Sequence, residues 1–119
     1  MKIITNNIKE RYIIYKLYDI INKKVYIGKT TIPIYMRINT HRHGNLNADK
    51  YFSSIGWENV IFEIIDWSND KITLLKKEND QILKYYTTNK SNLLNKNCSS
   101  IKNYNDIPSD FKKLASKYF

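Results

Sequence analysis

Two strand-like runs, YIIYKLY at residues 12–18 and VYIGKT at residues 25–30, carry tyrosines, Tyr15 at the middle of the first and Tyr26 in the second, which closes on Gly28, Lys29 and Thr30. A glycine at a strand end lets a backbone or a ligand come close, and a lysine beside it can meet a phosphate as a point charge. Arg37 and His41 stand four residues apart, so on a helix they share one face, at the margin of the stripe made by Ile34 and Ile38. Such a pair can act jointly on a ligand or simply face water. Glu78 is the most telling position: at ~100° per residue it falls inside the helical arc of Leu74, Leu75, Ile82, Tyr85 and Tyr86. A carboxylate aimed at a core is costly to ionise without a compensating cation. Glu78 is therefore either an edge-of-core residue satisfied by a lysine or water, or a metal ligand or acid/base.

The elements that must position these groups can be read in order. Residues Arg11 to Ile20 and Val25 to Gly28 form a β-hairpin around Asn22, Lys23 and Lys24. A two-residue Asn22-Lys23 turn pairs Ile21 with Lys24 and sets Asp19 opposite Tyr26 and Leu17 opposite Gly28, which leaves Tyr15 and Tyr26 on one face. Thr30, Thr31 and Pro33 signal a helix over about Ile34 to Arg42, closed by Gly44. A short helix follows around Ala48 to Ser54, ended by Gly56, then a third strand over Val60 to Trp67 and a longer helix over Lys71 to Tyr86 capped by Asp70. Ser109 can cap a last amphipathic turn or two carrying Phe111, Leu114, Ala115 and Tyr118. With two strands joined by a tight turn, the sheet is at least partly antiparallel, and helices must cover it: an α+β fold.

Bulk composition narrows the class. A chain of 119 residues supports one core. Twenty Lys and Arg against eleven Asp and Glu give a formal charge of +9, which makes nucleic acid the leading partner, although part of the lysine count reflects the Asn, Ile, Lys and Tyr bias of an A+T-rich genome. That bias suggests a phage, virus or mobile element. No apolar run approaches the ~20 residues of a spanning helix, and neither a signal peptide nor a lipidation motif is present, so an intracellular protein with no membrane partner is expected. Cys98 is alone, which excludes an intrachain disulfide and a cysteine-rich zinc site. His43 lies two residues from His41, the wrong spacing to share its helical face, so no zinc site is read there. Neither a Walker-type glycine loop nor G-x-S-x-G occurs.

Together and in order, these signals resemble the GIY-YIG nuclease family. IIY at 13–15 stands at the first motif and YIG at 26–28 is the second, intact; R-x-x-x-H at Arg37 and His41, the helix-borne Glu78 and Asn95 at the end of NLLN follow. Ile13 replaces the glycine of the first motif. The resemblance covers about residues 11–97. It implies a small three-stranded antiparallel sheet flanked by helices, a catalytic domain over residues 1–97 and a short extension over 98–119 with a candidate helix. It also implies a metal-dependent DNA endonuclease in which Glu78 holds one Mg²⁺ or Mn²⁺ and Arg37 braces the scissile phosphate. Tyr15 is the candidate general base, its phenolate favoured by Lys29 and the metal. Tyr26 and His41 orient water or assist proton transfer, the three roles being exchangeable, and Asn95 is a positioning residue. The alternatives are a DNA-binding module that has lost turnover, or a subunit guided by another protein. Specificity then comes from the catalytic surface, a homodimer or a protein partner.

Overall fold

The computed structural model describes residues 1–95; Cys98 and the helix expected beyond it lie outside the described residues. Among the described residues four strands form one sheet: β1 (Lys2–Ile4), β2 (Tyr12–Asp19), β3 (Val25–Thr30) and β4 (Val60–Ser68), in the spatial order β1-β4-β2-β3. Strand β2 runs antiparallel to both β3 and β4, while β1 lies parallel to β4. The three-stranded antiparallel sheet expected from the sequence is thus corrected to a four-stranded mixed one. The added strand is three residues long and gains its hydrogen bonds only from a partner 59 residues away, pairing Lys2 with Ile61, a signal that local sequence cannot carry.

Helices α1 (Ile34–Arg42) and α2 (Asn47–Ile55) cover one face and α3 (Lys71–Asn89) the other. Strand periodicity divides the core accordingly. Ile13, Tyr15 and Leu17 of β2 join Val60, Phe62 and Ile64 of β4 under Ile38, Ala48 and Phe52. Ile14, Val25 and Ile27 pack instead against Leu74 and Ile82 of α3, each fully buried apolar side chain stabilising the fold by ~1.5–3 kcal/mol. Helix α3 begins where expected, with the Asp70 carboxylate accepting from the Thr73 N–H at 2.7 Å and its hydroxyl at 2.9 Å. No helix of the described residues is long and apolar enough to cross a membrane.

The hairpin register differs by two residues from the expected one: Tyr15 lies opposite Gly28 and Leu17 opposite Tyr26. The cause is Asp19. Its carboxylate accepts the Asn22 N–H at 2.5 Å and the Tyr51 hydroxyl at 2.6 Å, and Lys23 takes a left-handed conformation at φ 57°. This widens the loop to residues 20–23, closed by the Asp19 N–H donating to the Lys24 carbonyl at 3.1 Å. Because side chains alternate with period two, an even slip keeps Tyr15 and Tyr26 on the same face.

Candidate active site

Tyr15 sits in the middle of the sheet with no exposed surface, its ring stacked on Phe62 at 4.7 Å between centroids. The phenol reaches across its cross-strand partner Gly28, where a Cβ would collide with Cζ, Oη and Cε2 of the tyrosine. The tyrosine of one motif and the glycine of the other thus form a steric pair, the ring filling the space that a side chain at position 28 would need. Ile13, in place of the motif glycine, is 1% exposed and contributes to the α1–α2 core, so the fold absorbs that departure.

Two groups converge on the Tyr15 hydroxyl. The Arg37 Nε–H donates to it at 2.9 Å, and His41 Nε2 lies 2.6 Å away, both side chains delivered from one face of α1 as their four-residue spacing requires. The Tyr26 and His41 rings meet edge to face at 5.5 Å. Burial pushes the Tyr15 phenol well above the ordinary tyrosine value; Arg37 opposes that shift, and the nearby Tyr26 and Glu78 add to it. Tyr15 is therefore a phenol in the resting protein. Burial likewise outweighs Asp49 in pushing His41 below the usual imidazole value, with Arg37 adding to the fall, which leaves a neutral ring.

Behind His41 stands a residue that sequence reasoning passed over. Asp49 of α2 is 2% exposed, and its Oδ1 lies 2.6 Å from His41 Nδ1 while Oδ2 accepts the Leu46 N–H at 3.2 Å. Gly44 provides the room, since a Cβ there would overlap Asp49 Oδ2. The signal was present: Ala48, Asp49 and Phe52 share the buried side of α2, which makes Asp49 an inward carboxylate like Glu78.

Glu78 is 3% exposed and lies with Leu74 and Ile82 on the buried side of α3, as its helical arc predicts. It approaches from the opposite face of the sheet to Arg37 and His41, yet its charge acts on Tyr15. Lys29 pairs across from Ile14, whose side chain belongs to the α3 face, so Lys29 stands on that side of β3; the cation hydrogen-bonded to the Tyr15 phenol is Arg37. Asn95 is not at the phenol. Its amide closes on the backbone of Ile27, accepting that N–H at 2.9 Å and donating to the carbonyl at 2.8 Å, while the Leu94 N–H donates to the Val25 carbonyl at 2.8 Å. Residues 93–95 thus hold the outer edge of β3 at Val25 and Ile27, on either side of Tyr26.

Among the described residues no three or more His, Cys, Asp or Glu side chains gather as a metal cage. Glu78 as a single carboxylate donor would fit a hard cation such as Mg²⁺ or Mn²⁺, with waters and phosphate oxygens as its other ligands, better than zinc. Compared with known families, the chain matches the model of the GIY-YIG catalytic domain over residues 11–92, which takes in Tyr15, Tyr26, Arg37, His41 and Glu78 and stops short of Asn95. No curated protein and no solved structure gives a significant match.

Proposed function

The chain belongs to the GIY-YIG catalytic-domain family, and from that premise we propose that it is an endonuclease that hydrolyses DNA phosphodiester bonds with one divalent cation, residues 1–97 forming the catalytic unit. The observation that carries this reading is the convergence of Arg37 and His41 on the Tyr15 hydroxyl. Hydrolysis of a phosphodiester needs an activated water, neutralisation of charge on the phosphate oxygens and stabilisation of the leaving oxygen. Arg37, always charged and planar, suits a phosphate brought beside Tyr15. The Tyr15 oxygen takes up the water's proton with His41 at hydrogen-bond distance behind it, and Tyr26 on the same face orients the water. Glu78 would hold Mg²⁺ or Mn²⁺, which when bound supplies positive charge to the phosphate and to the leaving 3′ oxygen. Asn95 acts through the backbone of Ile27, fixing the strand that presents Tyr26 and Gly28.

The formal charge of +9 supports a polyanionic substrate held chiefly through phosphates. Incubation of the full chain with plasmid, branched and single-stranded DNAs in Mg²⁺, Mn²⁺ or EDTA tests the proposal. The expected result is cleavage of at least one substrate that EDTA stops, leaving 5′-phosphate and 3′-hydroxyl ends. DNA binding without cleavage of any substrate would assign the chain to the non-catalytic alternative.

A further inference from the structure

We infer that Asp49 is a positioning residue of this site: it holds the His41 proton on Nδ1, so that Nε2 is bare and receives the proton of Tyr15. The inference rests on the nuclease reading and deepens it, because it assigns the direction of proton flow among Tyr15, Tyr26 and His41.

A carboxylate is an acceptor only, so the 2.6 Å contact between Asp49 Oδ1 and His41 Nδ1 requires the hydrogen on Nδ1. A neutral imidazole then has no hydrogen on Nε2, which stands 2.6 Å from the Tyr15 oxygen. Arg37 can only donate to that oxygen, so the tyrosine hydrogen is left pointing at His41. Every hydrogen in the cluster is thereby ordered along one line, from Tyr15 to His41, with the Asp49 charge behind it. The charged or titratable groups acting on His41 are Tyr15 from β2, Tyr26 from β3, Arg37 from its own helix and Asp49 from α2. Of these, only Asp49 carries negative charge in the resting site, so it stabilises the imidazolium once formed.

In the hydrolytic step, the water oxygen forms a bond to phosphorus as the bond from phosphorus to the 3′ oxygen breaks and takes its electron pair to that oxygen. The water's proton passes to the Tyr15 oxygen while the Tyr15 proton passes to His41 Nε2, and the leaving oxygen takes a proton from solvent. Tyr15 thus relays a proton without ever existing as a free phenolate, which its burial disfavours. His41 returns its proton to solvent after the product leaves.

Asp49→Asn separates this role from a structural one. The asparagine has a single oxygen, where the aspartate serves both His41 and the Leu46 N–H. With that oxygen kept at Leu46, the amide NH₂ faces Nδ1 and forces the hydrogen onto Nε2, against Tyr15. Long-range ¹H–¹⁵N correlation spectra of the two histidines, with His43→Gln for assignment, read the tautomer directly. The wild type is expected to show His41 protonated on Nδ1, and Asp49→Asn to move that hydrogen. In parallel, kcat for DNA cleavage is expected to fall by roughly 10²–10⁴-fold with KM within about twofold. A wild-type His41 carrying its hydrogen on Nε2 overturns the inference, whether or not the variant folds. So does a folded Asp49→Asn protein with unchanged tautomer and kcat. Failure of the nuclease reading shows differently, as a wild type that cleaves no DNA.

Discussion

Replacing Gly28 by alanine probes the contact on which the arrangement of the tyrosines depends. The added methyl would meet Cζ, Oη and Cε2 of Tyr15, all parts of a ring pinned between Phe62 and the core. The ring cannot simply swing aside, because its hydroxyl is tied to Arg37 at 2.9 Å and His41 at 2.6 Å. Overpacking of this kind costs ~1–3 kcal/mol, and a displacement of about 1 Å at a reacting group lowers the rate by about 10²-fold. The clash involves only atoms beyond the reach of a leucine, so in a Tyr15→Leu background the alanine should cost close to nothing. That background loses less than the ~3–5 kcal/mol of truncating a ring to alanine, which keeps the comparison within a folded protein. Urea unfolding of the four proteins in the cycle, followed by tryptophan fluorescence, gives the coupling directly, and it is expected at about 1–3 kcal/mol. Two substitutions that add within ~0.5 kcal/mol would mean that the glycine and the tyrosine do not constrain one another, and the steric account of the paired motifs would fall.

Asn95→Ala removes both hydrogen bonds to Ile27, worth ~1–3 kcal/mol together, and should speed amide hydrogen exchange at Ile27; unaltered protection there would contradict the edge role. The pH dependence follows from His41, whose folded value lies below the unfolded ~6.5: the folded state binds fewer protons, so the stability this group contributes is present above ~6.5 and is lost as pH falls toward the folded value. Cleavage should decline on the same acid limb, and an NMR titration of His41 with a midpoint above ~6.5 would refute the assignment. Tyr15 works in the other sense: its folded value lies above the unfolded ~10, so its contribution is lost as pH rises beyond ~10, visible as falling stability in alkaline urea titrations and absent in Tyr15→Phe.

Much of the site was legible because its rules are local. The four-residue spacing of Arg37 and His41, the inward arc of Glu78 and the cap at Asp70 each depend on helix geometry that a few neighbouring residues determine. The shared face of Tyr15 and Tyr26 survived an error in the turn because the slip was even. What stayed hidden depends on distant partners. The widened hairpin needs Tyr51 to complete the shell of the Asp19 carboxylate, and β1 needs β4. Asn95 finds its partner 68 residues back, on a strand edge, where no sequence spacing points. The register, hidden from local sequence, sets Gly28 against the Tyr15 ring and Lys29 on the α3 side of the sheet. Asp49 was harder to find than Glu78 because, at ~100° per residue, it lies at the edge of the arc of Ala48, Tyr51, Phe52 and Ile55 rather than inside it.

The proposed metal-dependent chemistry of this cluster of phenols, guanidinium and imidazole depends on Glu78. Its most direct test is single-turnover cleavage of a substrate DNA across a Mg²⁺ titration, for the wild type and Glu78→Gln, with DNA affinity measured separately in EDTA. The account predicts that the variant binds DNA within about twofold of the wild type and cleaves it about 10²-fold more slowly or worse at every Mg²⁺ concentration. Equal cleavage by the two proteins would contradict it.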